Sequence, residues 1–321
     1  TDYLPLPVFD STTVTTFNPS VCGVPASGTS CYGPTDSYHA LPNTPTPVVP
    51  TLTTSSATNS VTWTYGNYDA NNNQPSKIDL LFTVTVNNLP FADGLFLTNQ
   101  AHVQENSTNA GDHKADGIVQ ILLQEPVVNI KKGVVWTDKT GVSYAPATPG
   151  PVSFTNSGCP AFSGTVNSTN LAATPINSDL AGVDADDTVK MAIVLENTGR
   201  NAAYDLLVRD AIPAGLTFVP GSVCVTDGAG NALAFTGAAN SLVSSGITLT
   251  SLSRGKLSDG TTVATGTNIA IVTYNVTVDA NAVASQAYTN TATLASYAGQ
   301  PGGPNHIPGG RTDTATVTPA P

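Results

Sequence analysis

Three polar residues, Lys132, Asp210 and Asn290, stand in otherwise apolar segments that read as β-strands. Alternate side chains of a strand point to the same side of its sheet. The neighbours that share a face with each residue are Val128 and Ile130 for Lys132, Leu206 and Val208 for Asp210, and Ala292 and Leu294 for Asn290. If these apolar faces point inward, all three polar side chains point into one core.

Burial of these groups would favour a specific reaction. It disfavours charged forms, and so favours a neutral amine on Lys132 and a protonated carboxyl on Asp210. The amine could attack the side-chain amide of Asn290 while the acid polarises its carbonyl, and ammonia would leave. The product would be an isopeptide bond, which the protein forms once within itself without being an enzyme.

A simpler interpretation of the same residues stays open. Asn290 could cap a bend, Asp210 could begin the turn before Pro213, and Lys132 could extend its amine to solvent. The first part of the chain has Asp10 and Asn99 in corresponding places but no lysine before Lys77. It could form such a bond only with a lysine from another chain or from a segment further upstream.

Metal and cofactor sites have weak support. Asp69, Asn71 and Asn73 place oxygen atoms at alternate positions, as at the start of a calcium loop. The glycine and glutamate that complete the helix-loop-helix form of such a loop are replaced by Gln74 and Leu80. We therefore expect polar turns there, and no cofactor, with calcium as the alternative.

The four cysteines are Cys22, Cys31, Cys159 and Cys224, and none lies in a CxxC pair or a zinc spacing. An even number in a chain poor in lysine suggests disulfides and an oxidising compartment, with four free thiols as the alternative. We expect Cys159 to pair with Cys224. Cys31, close to Cys22, is then the partner of Cys22.

Composition excludes several function classes. Asp and Glu number 22 against 11 Lys and Arg, so the net charge is −11. Such a surface repels nucleic acid and anionic lipid. No apolar run is long enough to span a membrane. The sequence also has no GxSxG, HExxH or phosphate-loop motif, and no other enzyme signature.

Short β-branched segments bounded by Gly, Pro, Asn or Asp recur along the chain, and they predict antiparallel immunoglobulin-like β-sandwiches. The chain also repeats itself. Residues 82–86 match 274–278, residues 97–101 match 288–292, and residues 16–22 match 217–224. Residues 1–126 thus predict an incomplete sandwich with an N-terminal extended segment, and residues 127–321 a complete one. The first unit lacks a counterpart of 127–202. Its opening strands could belong to a longer array, come from a neighbouring subunit, or be replaced by a shortened version formed by the Pro- and Thr-rich residues 23–60.

The stretch from Glu196 to Gly199 and from Ala203 to Val223, which includes Ile212-Pro213-Ala214-Gly215-Leu216 and Pro220-Gly221-Ser222, resembles a bacterial tandem repeat. It is the conserved domain of unknown function eleven of surface and secreted proteins. Residues 126–132 resemble its first strand, and Tyr288-Thr289-Asn290-Thr291-Ala292 a later one. The resemblance implies an immunoglobulin-like module of adhesin stalks, cell-wall proteins or filaments, and in Gram-positive adhesins such modules often carry the isopeptide bond described above.

These observations predict an extracellular structural protein at the cell surface or secreted. The leading prediction is a filament subunit that assembles with copies of itself by strand exchange, with the apolar segment Leu4–Phe9 and residues 11–17 docking on a neighbour. The alternatives are a fragment of a longer array of repeats, or a stalk or binding module of an adhesin. Trp63 and Trp136 could then stack on a glycan, and a host-surface ligand is another possibility.

Overall fold

The computed structural model describes residues 1–14, 50–67, 82, 84–107 and 111–321. These residues form two compact units. Unit 1 comprises the described residues of 1–89 and 96–122, and unit 2 comprises residues 90–95 and 123–321. Cys22, Cys31, Asp69, Asn71 and Asn73 lie outside the described residues, so the predicted pairing of the first two cysteines and the calcium candidates stay predictions.

Unit 1 contains one five-stranded antiparallel sheet. Its strands are β1 (Asp2–Tyr3), β2 (Thr51–Ser55), β3 (Ser60–Thr64), β4 (Phe96–Ser107) and β5 (Gly111–Leu122). The order across the sheet is β2-β3-β1-β4-β5. Among the described residues of unit 1, the buried apolar side chains are few, namely Leu4, Val8, Val61 and Leu97. In the part of unit 1 that the structure describes, no second sheet covers the first.

The N-terminal segment pairs within its own unit. Strand β1 lies in the middle of the sheet of unit 1, between β3 and β4. Leu4 and Val8 are buried, and the Leu4 amide donates to the Asn59 carbonyl at 2.9 Å. Leu4 and Val8 thus pack within their own unit whereas Leu6 is 66% exposed, and docking of Leu4–Phe9 on a neighbouring subunit stays a prediction.

Unit 2 is a sandwich of two sheets, and the predicted all-β, immunoglobulin-like class is confirmed. The first sheet has the order β15-β16-β12-β18-β19-β10-β7, and the second β13-β17-β11-β6 with β14 also on β17. The long strands are β6 (Val128–Thr137), β11 (Thr188–Asn197), β12 (Ala203–Ala211), β17 (Ile269–Val278), β18 (Tyr288–Ala298) and β19 (Arg311–Pro319). Every pairing is antiparallel except that of β10 with β19.

The shorter strands of unit 2 lie at edges and in insertions. They are β7 (Ser143–Ala145), β8 (Ser153–Phe154), β9 (Phe162–Ser163), β10 (Asp179–Val183), β13 (Leu216–Phe218), β14 (Cys224–Asp227), β15 (Phe235–Thr236) and β16 (Ile247–Leu252). A short helix, α1 (Ser168–Ala173), was not predicted. Asn167 caps it by accepting from the Asn170 amide at 3.0 Å, which stabilises one turn without an apolar period.

The core between the two sheets follows the alternation of the strands. In β17, Ala270, Val272, Tyr274, Val276 and Val278 face inward and are buried. Valine and isoleucine pack well on a pleated surface, so this pattern both forms the strand and fixes which face is buried. The sandwich therefore positions any inward polar residue among aliphatic side chains.

The outer face of the second sheet is covered as well. Residues of the 150–176 insertion, including Phe154, Phe162 and Ile176, pack there on Ala192 and Val194. The Cys159–Cys224 disulfide ties this insertion to β14, with Cα atoms 5.6 Å apart. The predicted pairing of these two cysteines is therefore present.

Gly215, in the turn before β13, is a position where only glycine fits. Its φ is +106°, and a Cβ atom there would lie 2.1 Å from the Tyr288 ring. We expect Gly215→Ala to lower the free energy of unfolding by about 3 kcal/mol, since it adds overpacking to backbone strain. The control is Gly221→Ala, where φ is +77° and nothing lies within 4 Å of the added atom. A denaturant titration should show the smaller loss for this control, and equal losses would contradict the packing argument.

No helix among the described residues is long and apolar enough to cross a membrane.

Candidate functional site

The core of unit 2 contains a closed polar cluster. Lys132 comes from β6 and Tyr274 from β17 of the second sheet, while Asp210 comes from β12 and Asn290 from β18 of the first. Lys132, Tyr274 and Asn290 are fully buried, and Asp210 nearly so. The three residues singled out from the sequence therefore meet, and none of them reaches a turn or solvent.

The Tyr274 hydroxyl is the centre of the cluster. It accepts from the Lys132 amine at 2.6 Å and from the Asn290 amide nitrogen at 2.8 Å. It donates to Asp210 Oδ2 at 2.9 Å, and this same oxygen accepts from the Lys132 amine. The Lys132 amine and the Asn290 amide are thus hydrogen-bonded to the same phenol oxygen, which brings the two groups close together.

Burial controls the charges of the cluster. It lowers the pKa of the Lys132 amine, and the Asp210 carboxylate opposes this effect. It raises the pKa of Tyr274 well above its usual value, with Asp210 adding to the increase. Tyr274 is therefore a neutral hydroxyl, and the Lys132 amine is easier to deprotonate than in water.

Two oxygen atoms of the cluster have no hydrogen-bond donor, Asp210 Oδ1 and Asn290 Oδ1. A buried acceptor without a donor is costly. A proton that moves from the Lys132 ammonium to Asp210 would supply a donor and leave a nucleophilic amine beside an amide. The arrangement is chemically suited to the amide exchange predicted from the sequence, in which the Lys132–Asn290 bond forms and ammonia leaves.

Two further contacts hold β6 in place against the first sheet. The Lys132 backbone amide donates to Asp313 Oδ2 at 2.8 Å. The Arg311 guanidinium donates to the Val128 carbonyl and, at 2.8 Å, to Asn129 Oδ1. The lysine is therefore presented from a strand that is fixed to β19 on the opposite sheet.

Tyr274 was missed in the sequence. The strand pattern of 269–278 was recognised, but its tyrosine was not considered as a polar group. The available signal was its parity: Tyr274 shares a face with Val272 and Val276, as Lys132 does with Ile130. A tyrosine in the middle of an inward aliphatic face needs a partner for its hydroxyl, and so points to other buried polar groups.

In unit 1 the acid that faces the amide is Asp2. Asp10 had been aligned with Asp210, but it is exposed and caps the turn at Ser11–Thr13, accepting from the Thr12 amide at 2.8 Å. Asn99 Nδ2 instead donates to Asp2 Oδ2 at 3.3 Å. The correspondence of Asp10 with Asp210 is therefore wrong, because aligning residues 16–22 with 217–224 brings Asp10 rather than Asp2 near Asp210.

Outside the polar cluster of unit 2, other candidate side chains make local contacts. Asp184 forms an ion pair with Lys139, and its amide donates to Asp187 Oδ2 at 2.6 Å, so this acidic stretch is a polar turn. Trp63 packs on Phe82 with ring centroids 5.1 Å apart. Trp136 packs on the apolar cluster that covers the outer face of the second sheet of unit 2. Within the described part of the chain, no group of three His, Cys, Asp or Glu side chains could hold a metal ion.

A second titratable cluster in unit 2 joins residues 90–95 to the sandwich. The Glu125 amide donates to Asp93 Oδ1 at 3.0 Å, and the Arg200 guanidinium donates to Asp93 Oδ2 at 2.8 Å. The His306 Nε2 lies 3.8 Å from Glu125 Oε2. Burial, with a smaller contribution from Asp93, raises the pKa of Glu125 to about 7.

This cluster predicts a pH-dependent stability. The folded form keeps the Glu125 proton at a pH where the unfolded chain has released it, so stability falls as pH rises from about 4.5 to about 7. Burial lowers the pKa of His306, which works in the opposite direction and reduces the slope. In denaturant titrations, the free energy of unfolding of the wild type should fall by about 2 kcal/mol between pH 5 and pH 8, and Glu125→Gln should not show this fall. Glu105→Gln, at an exposed carboxylate, is the control, and an unchanged slope in Glu125→Gln would contradict the prediction.

Comparisons with known proteins give distant likenesses only. The pilus backbone protein RrgB of Streptococcus pneumoniae is 21% identical, with a TM-score of 0.24 over 38% of this chain and 45% of that one. BcpA, the major pilin subunit of Bacillus cereus, is 9% identical, with a TM-score of 0.31 over 85% of this chain and 64% of that one. A family 123 glycoside hydrolase of Clostridium perfringens is 9% identical, with a TM-score of 0.27 over 60% and 27%.

This chain thus spans less than two thirds of the length of each of these three structures. No protein-family model matches the chain, and no curated protein matches it. The resemblance to the conserved domain of unknown function eleven therefore stays a prediction.

Proposed function

We propose that this protein is a subunit of an extracellular filament at a bacterial cell surface. In this proposal, copies assemble by strand exchange that completes unit 1, and unit 2 is locked by an amide bond between Lys132 and Asn290. Its role is structural. The observation that carries the proposal is the exposed part of one sheet face in unit 1, around Val103 and Val119, which no described strand covers.

Two valines of this sheet face are exposed. Val103 of β4 and Val119 of β5 share a face with the buried Leu97, yet 62% and 60% of their surfaces are exposed. Strand β5 is also an edge strand, so one row of its backbone groups is unpaired in the sheet. Exposed apolar patches and open sheet edges are typical sites of strand addition between chains.

Unit 2 is suited to resist pulling along a filament. Its polar cluster lies between the two sheets, so a Lys132–Asn290 bond would connect them covalently through the core. The Cys159–Cys224 disulfide fixes the 150–176 insertion in the same unit. A disulfide and an acidic, lysine-poor composition are consistent with an oxidising, extracellular environment.

Negative-stain electron microscopy of the purified full chain over a range of concentrations tests the filament proposal. We expect fibres above a threshold concentration and their loss in a Val103→Lys/Val119→Lys variant, since charges on this face oppose strand addition. Val283→Lys, at an exposed apolar side chain of unit 2, is the control and should still form fibres. Dispersed single rods at every concentration, or fibres that the double variant keeps, would favour an adhesin stalk instead.

A further inference from the structure

Unit 1 contains counterparts of two members of the polar cluster of unit 2, the acid Asp210 and the amide Asn290. In unit 2, Asp210 lies opposite Ala292 across the β12–β18 ladder, two residues after Asn290. In unit 1, Asp2 lies opposite Ala101 across the β1–β4 ladder, two residues after Asn99. Asp2-Tyr3-Leu4-Pro5 also matches Asp210-Ala211-Ile212-Pro213 in sequence. Register and sequence thus make Asp2 and Asn99 the counterparts of Asp210 and Asn290.

The two side chains of unit 1 are hydrogen-bonded to each other, but one oxygen atom of each has no donor. Asp2 is 5% exposed, and burial raises the pKa of its carboxyl. Asp2 Oδ1 and Asn99 Oδ1 have no hydrogen-bond donor, as is also true of Asp210 Oδ1 and Asn290 Oδ1. The sequence repeat places Phe82 where unit 2 has Tyr274, so the hydroxyl is missing as well. These acceptors need a donor that the described residues of unit 1 do not provide.

The position of the missing donor can be read from unit 2. There, Leu294 and Ala315 correspond by register to Val103 and Val119 of unit 1. Leu294 and Ala315 are fully buried, whereas Val103 and Val119 are largely exposed. In unit 2 strand β6 is fastened to this side of the sheet and presents Lys132 to Asp210. The described part of unit 1 has no strand in the place of β6.

We propose that unit 1 is an acceptor for a lysine-bearing β-strand of a second polypeptide and joins it covalently through Asn99. The proposal rests on the proposed function, because it names the strand that completes unit 1. The lysine ammonium would transfer one proton to the Asp2 carboxylate, and the resulting amine would attack Asn99 Cγ to form a C–N bond. The attacking nitrogen then releases its second proton, Asp2 returns the first proton to Nδ2, and the Cγ–Nδ2 bond breaks so that ammonia leaves. One lysine ammonium and one asparagine amide thus give one secondary amide and one ammonium ion.

The occupant is defined by what β6 provides in unit 2. Its inward residues are Val128, Ile130, Lys132 and Val134, so the lysine stands in phase with aliphatic side chains. An incoming strand with this pattern would cover Val103 and Val119 and bring an ammonium group to the Asp2 carboxyl. Burial in the completed sandwich would then favour the neutral amine, as it does for Lys132.

The test uses the full chain and a synthetic peptide with the sequence of residues 126–137. We expect an adduct with the mass of chain plus peptide minus one ammonia, and fragment spectra that join the peptide's Lys132 to Asn99. A peptide with Lys132→Arg keeps the charge but cannot form the bond, so it should yield no adduct. The chain variants Asn99→Ala and Asp2→Asn should yield none either, with circular dichroism as the check on folding.

The outcomes separate this inference from the proposed function. Intact mass of the chain alone reports the Lys132–Asn290 bond, and microscopy reports fibres, both without the peptide. Binding of the peptide without an adduct, an adduct at the peptide's Lys131, or no binding would each overturn the inference. Covalent multimers of the chain alone, joined at Asn99, would support it and identify a second copy as the donor.

Discussion

An Asp210→Ala variant should fail to form the Lys132–Asn290 bond and should lose much of its stability. The reaction needs an acceptor for the lysine proton and an acid at the amide, and Asp210 is the carboxyl in contact with the Lys132 amine. The variant also leaves a fully buried lysine without its counter-charge. Removing one partner of a buried ion pair costs about 4 kcal/mol. Intact mass spectrometry should show the ammonia retained, and a denaturant titration should show the lower stability.

A double variant separates the two effects. Lys132→Met/Asp210→Leu removes both charges and fills the site with apolar atoms, which is often neutral or stabilising for a buried pair. It should fold, retain its ammonia and unfold without the large penalty of Asp210→Ala. If Asp210→Ala still loses ammonia at wild-type yield, the role assigned to Asp210 is wrong.

The inward direction of the site residues could be predicted because strand parity is a local property. The alternation of apolar residues around Lys132, Asp210 and Asn290 predicts that all three side chains point into the core, whatever the order of the strands. The same rule also predicted the alternating core face of the strand at 269–278. Which two sheets these strands join, however, depends on pairings between distant residues, such as β6 with β11 and β12 with β18.

Lys190 shows where parity alone is insufficient. It lies on the outer face of β11, next to Asn275 across the ladder, yet it is 2% exposed. Burial lowers the pKa of its amine to about 8. Residues of the 150–176 insertion cover this face. Their sequence shows no strand or helix periodicity that would predict this packing. Lys190 and Lys132 thus look alike in the sequence, but only Lys132 meets an acid and an amide.

The acid of unit 1 was misassigned for a related reason. The repeat was aligned from the match of residues 16–22 with 217–224, which brought Asp10 near Asp210. The ladder shows that Asp2 holds the equivalent register, so unit 1 has extra residues between Asp2 and the matched stretch. Insertions between strands do not change the sheet, so backbone pairing locates this one where the longer sequence match misplaced the acid.

Replacing Asn290 with Ala should remove the cross-link while leaving the Lys132–Asp210 pair in place. The proposed Lys132–Asn290 bond would close a loop from residue 132 to residue 290. In the chain-entropy description, a loop of this length stabilises the fold by about 5 kcal/mol, because the unfolded chain loses conformational freedom. The Cys159–Cys224 disulfide lies inside this loop and shortens it, but loop entropy varies only with the logarithm of length. The thermal midpoint of unit 2 should fall by about 15 °C.

The matched control is Asn268→Ala. Asn268 is also fully buried in unit 2, and its amide donates to Ser168 Oγ and to the Asn197 carbonyl, both at 3.0 Å. Its removal should cost only the hydrogen bonds, about 2 kcal/mol. Under denaturing electrophoresis the wild type and Asn268→Ala should migrate as looped chains, and Asn290→Ala as an open one. Equal losses of stability and equal mobilities would mean that the cluster is a hydrogen-bonded core without a covalent bond.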